Sequence, residues 1–288
     1  MASTYAKPEV LVTTEWLASH LNDPKVRIIE IDVDRDSYAQ GHIPGAVGWD
    51  WSRELGSALQ RDIPSAAEFE ALLSRSGVKP DDTLILYGDN NNWFAAFGFW
   101  LLKIYGHQDV RILDGGRKKW LAESRPLTQE APAHAQTSYK TKGDRTPELR
   151  AFRDEVLKDL GQGKTSLVDV RSPAEFTGEI ISPPGLPETA QRGGHIPGAT
   201  SIPWGLACNE DGTFKNADDL KALYQGRGIA PEKPVIAYCR IGERSAHTWF
   251  VLSQLLGYSK VKNYDGSWTE WGNIVASPIE KGVVAPVR

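Results

Sequence analysis

One hexapeptide occurs twice in this chain, and the repetition limits its fold more than any other feature. Gly41-His-Ile-Pro-Gly-Ala46 returns unchanged as Gly194-His-Ile-Pro-Gly-Ala199, 153 positions later (194 − 41). Thr83-Leu-Ile-Leu-Tyr87 is echoed by Pro234-Val-Ile-Ala-Tyr238, Gly106 by Gly257, Asp114-Gly115 by Asp265-Gly266 and Trp120 by Trp271, all at an offset of 151 (271 − 120). Self-similarity of this kind marks a chain built from copies of one unit. Upstream, Ile31-Asp32 pairs with Val168-Asp169 at an offset of 137 (169 − 32), so the second copy is expected to carry about sixteen extra residues. The Pro/Gly-rich stretch from Gly178 to Gly193 is the place for them.

Each copy alternates short apolar runs with segments of helical period. Val26–Ile31, Leu84–Tyr87 and Val110–Leu113 read as buried strands, as do Leu167–Val170, Val235–Tyr238 and Val261–Tyr264. Between them, Ser65–Arg75 (Ala67, Leu72 and Leu73 on its apolar side), Trp93–Tyr105 and Gly115–Leu121 read as helices. So do Phe152–Leu160, Ala217–Tyr224 and Ala246–Leu256. Such alternation predicts an α/β chain whose two copies each form a mostly parallel sheet with helices on both faces. The expected boundaries are residues 1–131 for the first domain, 132–148 for a Pro-containing linker and 149–288 for the second domain.

The chain has 288 residues, 40% of them apolar, and a net charge of −4. That suits two globular domains and gives no footprint for nucleic acid or an anionic membrane. No apolar run is long enough to span a bilayer and no leader pattern is visible, so a cytoplasmic protein is expected. The two cysteines, Cys208 and Cys239, belong to no metal-binding or disulfide pattern, and neither a metal nor another cofactor is expected.

A duplicated chain separates scaffold from chemistry, because features found in both copies are needed by the fold. His42 and His195 sit in identical turns and read as backbone-bonding residues, and the Asp-Gly turns read as helix starts. The loop after the central strand is different. Tyr87 matches Tyr238, but the next residue is Gly88 in one copy and Cys239 in the other. The first loop continues Asp-Asn-Asn-Asn with no thiol and no cation, an empty cradle. The second reads Cys239-Arg240-Ile241-Gly242-Glu243-Arg244-Ser245. A cysteine in a tight loop over a helix N-terminus meets backbone N–H groups, and Arg240 and Arg244 add charge, so the thiolate is expected to be favoured. Asp169 and Arg171 read as a buried ion pair, and Cys208, in a polar turn, as an incidental thiol.

Two tandem units, the doubled turn and the lone cysteine ending the second central strand resemble the two-domain rhodaneses, the thiosulfate sulfurtransferases. The resemblance covers the chain from about Leu11 to about Ile279. It implies that Cys239 accepts a sulfane sulfur as a persulfide and passes it to a thiophilic acceptor such as cyanide or a thiol, releasing sulfite, at a site where the two domains meet. It also implies a hydrophobic wall, at the aligned positions Trp93 and Phe94. The chemistry of such a substrate, a dianion, points to contacts from Arg240 and Arg244 and to backbone donors from Ile241, Gly242 and Glu243, with Arg192, which has no counterpart in the first copy, as a further candidate contact. In the animal enzymes of this family, cations stand where this chain has Ile241 and Glu175. If the thiol is already ionised, no general base is needed, and Glu243 is expected to brace Arg240 or Arg244.

Two further enzyme readings and a carrier remain open. The 3-mercaptopyruvate enzymes carry small neutral residues after the cysteine, unlike this loop. Cysteine phosphatases and arsenate reductases need Cys-x5-Arg to enclose a tetrahedral oxyanion, whereas the spacing here is Cys-x4-Arg. A persulfide carrier serving a protein acceptor would use the same loop as the sulfurtransferase.

Overall fold

The computed structural model describes residues 4–57, 59–185 and 190–282. The described residues group into two compact units: those within Pro8–Arg145 and Cys208–Phe214, and those within 4–7, Thr146–Ala207 and 215–282. The stretch expected as a linker is divided between them after Arg145. Its first part is laid along the first unit by Lys142 N to Tyr105 O (3.0 Å) and Arg145 N to Ile104 O (3.0 Å), with Tyr139 buried.

The first unit holds β1 (Leu11–Val12), β2 (Val26–Glu30), β3 (Ala46–Gly48), β4 (Thr83–Tyr87) and β5 (Val110–Leu113), all parallel, in the order β1-β5-β4-β2-β3. The second holds β6 (Ser166–Asp169), β7 (Thr200–Ser201), β8 (Val235–Tyr238) and β9 (Val261–Tyr264), parallel in the order β7-β6-β8-β9. The fifth strand of the second sheet is reduced to one parallel bridge, Arg150 to Asn263. Central strands covered on both faces are apolar throughout, and all four residues of β8 are buried. The strands β3 and β7 escape a sequence reading because two or three residues carry no periodicity.

Helix Ala66–Arg75 starts where Ser65 and Glu68 form a reciprocal capping box. It buries Phe69 with Leu72 and Leu73, while Ala67, expected on that face, is exposed. Trp93–Ile104 is nearly all buried. The helix expected from Ala246 starts three residues earlier, over Glu243–Phe250, and continues as a π-helical turn over Val251–Leu255. The polar residues Glu243, Arg244 and Ser245 hide that start from a reading based on apolar period, because each is buried against a polar partner, Glu243 on Cys239, Arg244 on Glu175 and Ser245 on Asn263.

Register also corrects the alignment of the copies. Glu30 lies opposite Tyr87 and Asp169 opposite Tyr238, so Glu30, not Asp32, is the counterpart of Asp169. The offset is 139 (169 − 30), leaving fourteen extra residues in the second copy rather than sixteen. Residues 186–189 of that insert lie outside the described residues.

The doubled turns are held the same way. Ile43 N donates to the Tyr87 hydroxyl (3.0 Å) and Ile196 N to that of Tyr238 (3.1 Å). His42 and His195 form antiparallel bridges to Thr128 and Glu280. Their rings hydrogen-bond backbone carbonyls, His42 those of Tyr38 and Glu130 and His195 that of Phe176. Both histidines are scaffold.

Candidate active site

Cys239 is the residue after β8, and its sulfur is fully buried. The turn Asp265–Ser267 and the helix after it fix the loop. Cys239 N donates to Ser267 Oγ (3.0 Å), Trp268 N to Cys239 O (3.1 Å) and Thr269 N to Arg240 O (3.1 Å). Asn263 Nδ2 donates to Gly242 O (2.9 Å). Gly242 has φ +98°, and a Cβ there would lie 2.5 Å from Asp265 Cβ, so only glycine closes this loop. Gly242 N then points at the sulfur, 3.1 Å from Sγ.

The charge around the sulfur differs from the sequence expectation. Burial pushes the Cys239 thiol up and the Glu243 carboxylate pushes it further, while Arg244 and Ser245 oppose them without cancelling the rise. The resting group is a thiol, and Sγ donates to Glu243 Oε2 at 3.4 Å. This direction runs against the expected thiolate: desolvation and the Glu243 carboxylate work against the helix start and its cations.

Arg244 is buried and grips Glu175 with two bonds, Nη1 to Oε2 (3.1 Å) and Nη2 to Oε1 (3.2 Å), with Glu243 Oε1 3.8 Å from its Nε. Glu175 Oε2 also accepts from Ser172 N (3.0 Å) and Oγ (2.9 Å), capping helix Pro173–Thr177. Burial alone would raise the Glu175 carboxyl, but Arg244 and the Ser172 donors hold it below its ordinary range. Glu175 thus neutralises Arg244 and sets its direction, a role invisible while the two lie 69 positions apart.

Arg240 is buried, and its carbonyl is held by Thr269 N and Oγ1 (2.9 Å). Ile241 is half-buried in the same loop. Arg192, expected at the substrate, is a correction. Its guanidinium donates to the carbonyls of Gly272 (3.0 Å), Ser277 (3.0 Å), Trp271 (3.1 Å) and Ile274 (2.5 Å). That binds the chain end of helix Ser267–Trp271, using donors an anion would need. Asp169 and Arg171 do form the expected buried ion pair (2.6 Å), with Arg171 over the Trp268 ring at 4.4 Å. Trp93 and Phe94 open the helix Trp93–Ile104 of the first unit, where Phe94 is buried and stacks on Trp51 at 4.5 Å. Cys208 bridges Phe214 and groups with the first unit.

Ser245, Ser267 and Asn263 are support residues that the sequence reading does not find. Ser245 Oγ donates to Asn263 Oδ1 (2.6 Å), tying the helix start to β9. The only signal available is their position beside the loop and beside the repeated Asp-Gly turn.

The matching loop in the first unit is closed rather than empty. Gly88 N donates to Asn92 Oδ1 (3.0 Å), and Asn90, Asn91 and Asn92 all have positive φ. A Cβ at Gly88 would lie 2.1 Å from Ile31 O. Gly88→Ala is expected to cost about 3 kcal/mol, at the upper end for overpacking, read by denaturant unfolding. A cost below about 1 kcal/mol would show that the strand end yields. Among the described residues no group of three or more His, Cys, Asp and Glu side chains could hold a metal ion, and no helix is long and apolar enough to cross a membrane.

Residues 13–123 and 152–274 each match the Rhodanese-like domain family, and the chain belongs to that family as a two-domain rhodanese. It is 54% identical over 282 residues to the sulfur carrier protein TtuD of Thermus thermophilus, covering 96% of this chain and 99% of that one. It is 55% identical over 278 residues, with the same coverages, to a Mycolicibacterium smegmatis protein provisionally named a thiosulfate sulfurtransferase. Among solved structures, SseA of Escherichia coli, a 3-mercaptopyruvate sulfotransferase, superposes with a TM-score of 0.79 at 30% identity over 90% of this chain and 98% of its own. EanB, captured with a cysteine persulfide and ergothioneine, gives 0.84 at 27% identity over 98% of this chain and 72% of its own. Fold and relatives together support sulfur transfer as the chemistry.

Proposed function

We propose that the protein moves the sulfane sulfur of thiosulfate through a persulfide on Cys239 to a thiophilic acceptor such as cyanide or a thiol, releasing sulfite. One observation carries the reading: a buried thiol stands at the head of helix Glu243–Phe250 with Gly242 N 3.1 Å from its sulfur. An N–H aimed at sulfur from a helix start stabilises the negative charge of a persulfide. Arg240 and Arg244 are the cations proposed to meet the thiosulfate dianion, Arg244 with part of its charge taken by Glu175. The second unit is the proposed catalytic domain and the first the non-catalytic one, since a side chain at Gly88 has no room. A cytoplasmic location is proposed with it, in keeping with two unbridged cysteines.

The test is to incubate the purified protein with thiosulfate and weigh it intact. A gain of about 32 Da, one sulfur atom, mapping to the Cys239 peptide is expected. No gain, or a gain mapped to Cys208, would overturn the proposal. A second reading rests on the Thermus relative: a persulfide carrier that delivers the same sulfur to a protein acceptor. Loading would then occur at the same rate, but release would need the acceptor protein and not cyanide.

A further inference from the structure

We propose that Glu243 is a catalytic residue of this site, the group that takes the Cys239 proton as the persulfide forms and holds it until the sulfur is passed on. The proposal rests on the sulfur-transfer reading above. Its geometric basis is direct. Glu243 is the first residue of the helix, 3% exposed, and its Oε2 accepts the thiol hydrogen at 3.4 Å. Cys239 is 0% exposed, so its proton leaves through a protein group or through whatever substrate enters. A base within hydrogen-bond reach is what proton transfer requires.

The groups around the pair leave Glu243 in that part. On the same helix, Arg244 Nε lies 3.8 Å from Glu243 Oε1 and leaves Oε2 to the thiol, while His247 packs edge-on against Trp204 at 5.2 Å. From helix Pro173–Thr177, Glu175 is committed to Arg244 and Ser172. Behind Gly242, Asp265 is bound by Arg150 at 2.7 and 2.8 Å. At the end of β6, Asp169 is closed on Arg171. The buried cation in the loop is Arg240, which cannot accept a proton. Burial raises the thiol, so the proton must be drawn off rather than lost beforehand.

The step balances without an outside oxidant. The S–H bond breaks with its electron pair left on Sγ, and the proton goes to Glu243 Oε2. The thiolate attacks the outer sulfur of thiosulfate; the new Sγ–S bond forms as the old S–S bond breaks, and sulfite leaves with that bond's electrons. The persulfide keeps one negative charge on its outer sulfur, beside a neutral Glu243 that can donate a hydrogen bond to it. When the acceptor removes the outer sulfur, the Cys239 thiolate returns and recovers the proton.

The test is Glu243→Gln, read by two measurements. Thiolate absorbance against pH gives the thiol's ionisation directly, and the rate of mass gain from thiosulfate gives persulfide formation. Removing a repelling carboxylate lowers the thiol's ionisation point, so a carboxylate that acts only by its charge would make the Glu243→Gln variant react faster at pH 7. A proton acceptor gives the opposite: ionisation shifts down, yet persulfide formation slows about 100-fold at pH 7, the scale of general-base catalysis. Its rate then climbs with pH where the unmodified protein has levelled. Equal or faster loading in Glu243→Gln overturns the proposal. If the unmodified protein gains no sulfur at all, the sulfur-transfer reading fails by itself. The rate of Cys239 alkylation by iodoacetamide then decides the proton's route by the same sign.

Discussion

Cys239→Ala is expected to leave a folded protein that gains no mass from thiosulfate, while Cys208→Ala gains the same single sulfur as the unmodified chain. The contrast follows from their settings. Cys239 sits at a helix start, with an N–H and a carboxylate on its sulfur. Cys208 sits in a turn bridged to Phe214 that groups with the first unit, and no helix starts at it. Nucleophile removal abolishes a covalent pathway rather than slowing it, so transfer should fall by at least about a thousand-fold. The loss of one buried sulfur should cost stability only about 1 kcal/mol. Intact mass before and after thiosulfate, with a thermal melt, checks both statements. Sulfur uptake by Cys239→Ala would remove the site from this loop.

Glu175→Ala should produce the second large effect, and on stability more than Arg244→Ala does. Both side chains are buried, and breaking a buried pair costs about 3–5 kcal/mol. The partners left behind are not equivalent. A stranded guanidinium cannot shed its charge, whereas a stranded carboxyl can take a proton and keep its bonds to Ser172. For about 150 residues in the unit, the Glu175→Ala loss corresponds to about 10 °C in melting temperature. The pH dependence separates the variants. In the unmodified chain Glu175 is held below its ordinary range, so its contribution is present above the unfolded pKa and is lost as acid protonates it. In Arg244→Ala burial raises that carboxyl instead, so the variant gains stability as pH falls from 8 to 5. A melt of Arg244→Ala that is flat or falls over that range would contradict the pairing. Persulfide formation is expected to fall in both variants, because Glu175 aims the Arg244 fork.

Much of the scaffold is legible because it is written twice. The repeated turn, the tyrosine that ends each central strand and the alternation of elements each give a second witness for the same assignment. The strands β8 and β9 match the residues read from sequence, since short apolar runs bounded by polar turns define themselves. Cys239 stands out by the same logic, as a difference between copies that otherwise agree. What fails is most of what burial of charge decides, the Asp169–Arg171 pair excepted. Arg244 and Arg192 look alike in sequence, yet one faces a carboxylate and the other four carbonyls. The thiol's state likewise depends on a desolvation that no spacing reports. Asp32 takes the place of Glu30 in a sequence alignment because the copies differ in length there, and only strand register resolves it.

The amide of Arg117 holds the carbonyl of Gly88 at 2.9 Å, as that of Trp268 holds Cys239 at 3.1 Å, so both units keep one backbone frame around the position where they part. In the first unit the carbonyl of Ile31 occupies the space a side chain would need. A single codon change toward cysteine is then harmful before it can be useful, because the neighbouring strand end must retreat first. Divergence of the two halves has a ratchet in it: a side chain in the first unit's loop costs packing at once, so new chemistry in this chain is more accessible through the loop that already carries a cysteine.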